Sequence, residues 1–136
     1  MPFLFHFDES TRVFHVEAIG EVKDAELIDL TARLRQEAAF VSGSPILWDC
    51  SALTAVSISS SLIELLAKAA RSRTNFVAVI APLAVAFGLA RMYQIFCDPE
   101  DTRIHVFAGA EEAMAWLETR TGCPSRSASG DTQNRP

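Results

Sequence analysis

The chain has 136 residues, 49% of them hydrophobic and 21% charged, with twelve Lys and Arg against seventeen Asp and Glu. That length and apolar content exclude disorder as the main state and fit one domain around one core. A net charge of −5 and a pI near 5.1 argue against nucleic acid, whose phosphates need a clustered basic surface.

Phe3, Phe5 and Phe7 alternate with Leu4 and His6, a period of two that predicts a strand. Asp8 to Thr11 is a polar turn, and Arg12 to Ile19 alternates again, which predicts an antiparallel hairpin closed by Gly20. In that register Phe7 pairs with Arg12, His6 lies opposite Val13, and His15 is the diagonal neighbour of His6 on the same face. From Asp24 the period becomes helical. Leu27, Leu30, Leu34 and Ala38 form the stripe, Asp24 is the expected N-cap, and Ser42 to Pro45 ends the helix.

Ile46 to Cys50 reads as a short strand, and Ser51 to Ser60 as the loop after it. Ser61 to Glu64 has capping-box spacing for a helix running to about Arg73. Phe76 to Ala81 is apolar on both parities, as in a strand covered on both faces. Pro82 introduces a nearly all-apolar helix, Ala84 to Phe96, in which Arg91, Gln94 and the Tyr93 hydroxyl are the polar groups. Arg103 to Phe107 is the last strand and Glu111 to Glu118 the last helix. Residues 1–120 therefore form a single predicted domain, and Thr121 to Pro136, with no Val, Ile, Leu, Phe or Trp, a disordered tail.

The order ββαβαβαβα defines an α/β fold: a mostly parallel five-stranded sheet with one antiparallel strand from the N-terminal hairpin. Right-handed crossovers taken in chain order put the helices mainly on one face. The face carrying His6 and His15 is then only partly covered and is a candidate surface for a homodimer. The longest apolar run, Phe76 to Ala90, is broken by Pro82 and too short for a membrane span. Met1 to Phe7 lacks a secretory pattern, and Cys50, Cys97 and Cys123 show no CxxC spacing, so reduced thiols in a cytoplasm are expected.

No nucleotide, zinc-protease or nucleophile-elbow motif occurs, so neither an enzyme nor a cofactor is expected. His6, His15 and Glu17 share a face, which makes a two-His, one-carboxylate set conceivable. Their ordinary reading is polar groups on a half-solvated surface, with no metal. Cys50, at a strand end, could serve as a nucleophile or simply as a core residue, and no base is visible near it. Two regions carry binding chemistry. In the first, Ser57 and Ser59 lie near a helix N-terminus that favours anions, with Asp49 on the preceding strand, so they are candidate phosphoacceptors or anion-binding groups; capping by Ser59 or Ser61 is the structural alternative. In the second, the helix Ala84 to Phe96 offers Phe87, Met92, Tyr93 and Phe96 as lining for a hydrophobic ligand or as an interface, with Arg91 to meet an anionic head group. A filled core is the alternative there.

Several pieces of the sequence in this order are similar to those of the STAS and SpoIIAA-like superfamily, especially its small bacterial stand-alone members. They are Gly20-Glu21-Val22, Trp48-Asp49-Cys50-Ser51 with Leu53-Thr54, Val79-Ile80-Ala81-Pro82, Ala86 to Tyr93, Val106-Phe107 and Glu112 to Leu117. The resemblance covers about residues 3–118 and implies a SpoIIAA-like fold and a non-enzymatic regulatory or protein-interaction module. Its anti-sigma-factor antagonists carry a phosphorylated Ser in an Asp-Ser-Ser-Gly element after the middle strand. Counted from Asp49, this chain has Ser57, Ile58, Ser59 and Ser60 there, a departure that leaves Ser57 and Ser59 as acceptors only in a reshaped loop. Other SpoIIAA-like proteins imply the alternative, a carrier or sensor of small hydrophobic or lipid-like molecules. The expected partner is thus an unidentified protein or such a ligand.

Overall fold

The computed structural model of the chain describes residues 3–37, 43–70, 75–100 and 103–121. Its strands are β1 (Phe3–Asp8), β2 (Val13–Lys23), β3 (Ile46–Ser57), β4 (Val77–Ile80) and β5 (Ile104–Phe107). Its described helices are α1 (Asp24–Leu34), α2 (Ser60–Ala70), α3 (Ala84–Cys97) and α4 (Ala110–Thr121). The strands lie in chain order, β1 antiparallel to β2 and every other pair parallel. The α/β class and the ββαβαβαβα order follow as the periodicities require. The expected disordered tail lies outside the described residues apart from Thr121, which ends α4, and so does any extension of α2 to Arg73. Helix α1 stops at Leu34 instead of running on toward Ala38: Arg35 is its C-cap, and the amides of Gln36 and Glu37 close turns on the Arg33 and Leu34 carbonyls.

Three boundaries in the first three strands also differ from the sequence expectation. Arg12 takes a left-handed φ of 61° and its amide donates to the Asp8 carbonyl at 2.7 Å, so the turn absorbs Glu9 to Arg12. Pairing therefore begins at Asp8 with Val13 and sets Phe7 against Phe14 and His6 directly against His15. Gly20, expected to close the hairpin, instead carries β2 onward at φ +77°, a region closed to most L side chains. The segment Ser51 to Ser57, expected as loop, extends β3, whose outer half pairs with Gly20 to Lys23.

That outer half contains a bulge. Gly20 faces Leu53, but Glu21 faces Ala55, so Thr54 is the extra residue. The shift moves Leu53 and Val56, on opposite parities of the sequence, to the same side.

One face of the sheet carries the larger core. Phe14, Val16 and Ala18 of β2, with Ile46 and Cys50 of β3, lie under Leu30 and Leu34 of α1 and Ala86 of α3. Val13, Leu47, Ala78 and Ile80 on the other face meet Ala113 and Leu117 of α4. Because α4 packs on β3, β4 and β5, the opposite end of that face stays open: Leu4 is 57% exposed and the imidazoles of His6 and His15 stack with centroids 5.0 Å apart. Burial, together with the charge of His6, holds His15 below the ordinary histidine range. No group of three or more His, Cys, Asp or Glu among the described residues is arranged to hold a metal ion, and the pair does not recruit Glu17 into one. No described helix is long and apolar enough to cross a membrane.

Candidate functional site

Between the larger core face and its helices lies a half-enclosed cavity of about 210 Å³. Phe3, Ala18, Trp48, Cys50 and Val79 make its floor on the sheet. Leu27 and Leu34 of α1, Ile63 and Leu66 of α2, and Leu89 and Tyr93 of α3 form its helical sides, while Leu53, Val56 and Ile58 close the end beyond Cys50. The lining is almost entirely apolar. Small side chains help to leave this space open: Ala18, Ala69, Ala70, Ala86 and Ala90 all line it. Close-packed interiors leave few voids larger than a water molecule, and this half-open space is several times larger.

The residues singled out on α3 divide. Tyr93 lines the cavity, with Ala86, Leu89 and Ala90 completing its helical face at spacings of three and four. Phe87 packs into the main core and Phe96 against Tyr93's cluster on β5. Met92 is half-buried and outside the lining. Arg91 is exposed, also outside the lining, and donates from Nη1 to Gln94 Oε1. Gln94 is the most buried polar side chain on the helix, and its Nε2 donates to the Asp98 carbonyl at 3.3 Å. The cavity instead has two other cationic residues at its margin, Arg35 after α1 and Arg103 before β5, and no Asp or Glu among the described residues that line it.

Cys50 belongs to the cavity floor. Burial, and next the neighbouring Asp49 carboxylate, push its thiol up to about 12, so it stays neutral and is no nucleophile at physiological pH. It acts as a small apolar lining group.

The serine region has a different geometry from the one its spacing suggests. Ser57 is the exposed last residue of β3, and Ser59 caps α2: its Oγ accepts from the Leu62 amide at 3.2 Å. Ser61 lies 3.4 Å from that hydroxyl, and Glu64 pairs with Lys68 rather than closing a capping box. Asp49 does not meet these serines. It sits eight strand positions before Ser57, roughly 25 Å at 3.3 Å per residue, and its carboxylate accepts from the Ser51 amide at 2.9 Å. Asp24, expected to cap α1, instead accepts the Ser59 amide at 2.8 Å; Glu26 serves α1, accepting from the Lys23 amide at 2.7 Å. A phosphate on Ser59 would displace a cap and face the Asp24 carboxylate.

A chain-ordered mixed sheet, with three described helices over one face and one over the other, defines a class of small α/β domains. A solved structure shares it: an uncharacterized protein of the DUF3478 family with a SpoIIAA-like fold, from Shewanella loihica. That protein is 18% identical, and the match covers 85% of this chain and 91% of that one at a TM-score of 0.54. No family profile matches the chain, and no curated protein does. The chain has a STAS/SpoIIAA-like fold.

Proposed function

We propose that the protein is a non-enzymatic, STAS-like binding module that carries or senses a small hydrophobic molecule in the cavity over its sheet. The observation that supports this reading is the cavity itself, about 210 Å³ and lined almost wholly by apolar side chains. An engineered apolar cavity of about 150 Å³ stays dry and takes up benzene. A space somewhat larger suits a single ring or a medium-length acyl chain. Binding would remove from water apolar surface that the alanines leave uncovered, at about 25 cal/mol per Å². The chemistry here is retention, since the thiol on the floor is neutral and no acid–base pair faces the space.

The experiment is native mass spectrometry on protein purified without detergent. A small-molecule adduct released on denaturation is the expected result. Protein that is empty, and that stays empty when offered octanoate or octanol, would count against carriage. The same spectra report whether the chain is a monomer or a dimer, which separates a ligand carrier from a module that uses its open sheet face for self-association.

A further inference from the structure

The cavity lining is almost entirely apolar, and the two charged residues that border it lie at one end. Its charged lining residues are Arg35 and Arg103, both cations, although acidic residues outnumber basic ones seventeen to twelve in the chain. The two are 68 positions apart in sequence, yet the topology brings them to one edge. Helix α1 runs back from the end of β2 toward the start of β3, which places Arg35 just past its last residue there. Arg103 immediately precedes β5, and its carbonyl accepts from the Val77 amide at 2.7 Å at the start of β4. Ile46, whose amide reaches the Phe76 carbonyl at 2.8 Å, completes the row and lines the cavity too. The other end, closed by Leu53, Val56 and Ile58, carries no charge in its lining.

Resting on the carrier reading, we infer that the ligand is an amphiphilic anion, a medium-chain carboxylate, bound with its chain among the alanines and its head group toward Arg35 and Arg103. A guanidinium has five donors in a planar fork, so each arginine can hold a protein partner and still offer N–H groups to a carboxylate. Asp98, buried at the end of α3, accepts the amides of Arg103 and Ile104 on Oδ2 at 2.7 and 2.8 Å. A neutral alcohol of equal chain length would fill the apolar part equally well and gain little at this edge. The charge-assisted bond is therefore what discriminates.

The test compares octanoate with 1-octanol at pH 8, where the carboxylate is ionised, by titration of the wild-type protein and of Arg35→Gln, Arg103→Gln and the double variant. Octanoate is expected to bind at least about tenfold more tightly than octanol. The double variant should lose that preference while holding octanol within about twofold of wild type. Equal affinity of the wild type for the two ligands would overturn the anionic assignment and leave the carrier reading standing. Failure of both to bind would overturn the carrier reading, and this inference with it. Because the wild-type comparison needs no substitution, a variant that folds poorly does not decide the matter.

Discussion

Replacing Ala90 by Phe is expected to weaken ligand uptake roughly a hundredfold and to leave the fold intact. Ala90 is on the face of α3 that lines the cavity and is only partly buried, so a benzyl group there has the chamber to enter rather than packed core. Occupying the space nearest α3 would exclude about four methylenes of an eight-carbon chain. At ~0.8 kcal/mol each this is about 3 kcal/mol, or roughly a hundredfold in affinity. Stability should change by less than about 1.5 kcal/mol, because a void is being filled and no neighbour must shift far. Titration with 8-bromooctanoate, paired with thermal unfolding of the same sample, measures both. A folded Ala90→Phe protein with wild-type affinity would show that the ligand sits elsewhere.

Phe14→Ala has the largest expected effect on stability. Phe14 is 1% exposed at the centre of the larger core face, with the Phe5 ring 5.7 Å away and tilted by 54°. It also belongs to the same core cluster as Ile46 and Leu34. Removing it deletes a large buried ring in a place where two strands and a helix converge and cannot collapse together. A loss of about 3–5 kcal/mol is expected, against a total of about 5–15 kcal/mol for a domain of this kind. Leu65→Ala is the comparison: Leu65 is 63% exposed on α2, and its removal should stay within about 0.5 kcal/mol. Urea unfolding of the two variants checks the contrast, and a Phe14→Ala loss under 1 kcal/mol would remove this face from the main core.

The features legible in the sequence are those written in periodicity. The alternation of Phe3, Phe5 and Phe7, the stripe Leu27, Leu30 and Leu34, and the run after Pro82 each identify an element, and their order fixes the α/β class. Chain-order crossovers also imply that the His6/His15 face is left partly bare, and α4 covers just the other end of it. Register was not legible, because an arginine in left-handed backbone is rare enough that a shorter turn is the natural expectation. The length of β3 was hidden by composition. Its outer half is rich in Ser and Ala, although Val56-Ser57-Ile58-Ser59 does alternate apolar and polar and could have marked a strand.

The cavity was beyond sequence reading for a different reason. A void is defined by what five alanines on three elements fail to fill together, and no local pattern encodes that. The aromatics of the apolar helix looked like lining because they are large and apolar. Large side chains fill space, however, so Phe87 and Phe96 went to the core and the small face of the same helix, with Tyr93, was left to the chamber. The position of the cations at the cavity follows the same logic. Arg91 lies within the apolar helix but on its exposed side, whereas Arg35 and Arg103 stand at element ends whose meeting is a product of topology.

Whether the space over the sheet receives a hydrophobic ligand can be read from the two tryptophans. Trp48 lines the cavity, whereas Trp116 packs with Phe76, Phe107 and His105 on the opposite face of the sheet. Bromine quenches indole fluorescence only at close range. In the Trp116→Phe variant, where Trp48 is the sole indole, 8-bromooctanoate should quench strongly and saturably, and in Trp48→Phe it should leave the emission of Trp116 unchanged. Quenching carried by Trp116, or no quenching of Trp48 at saturating ligand, would contradict the account.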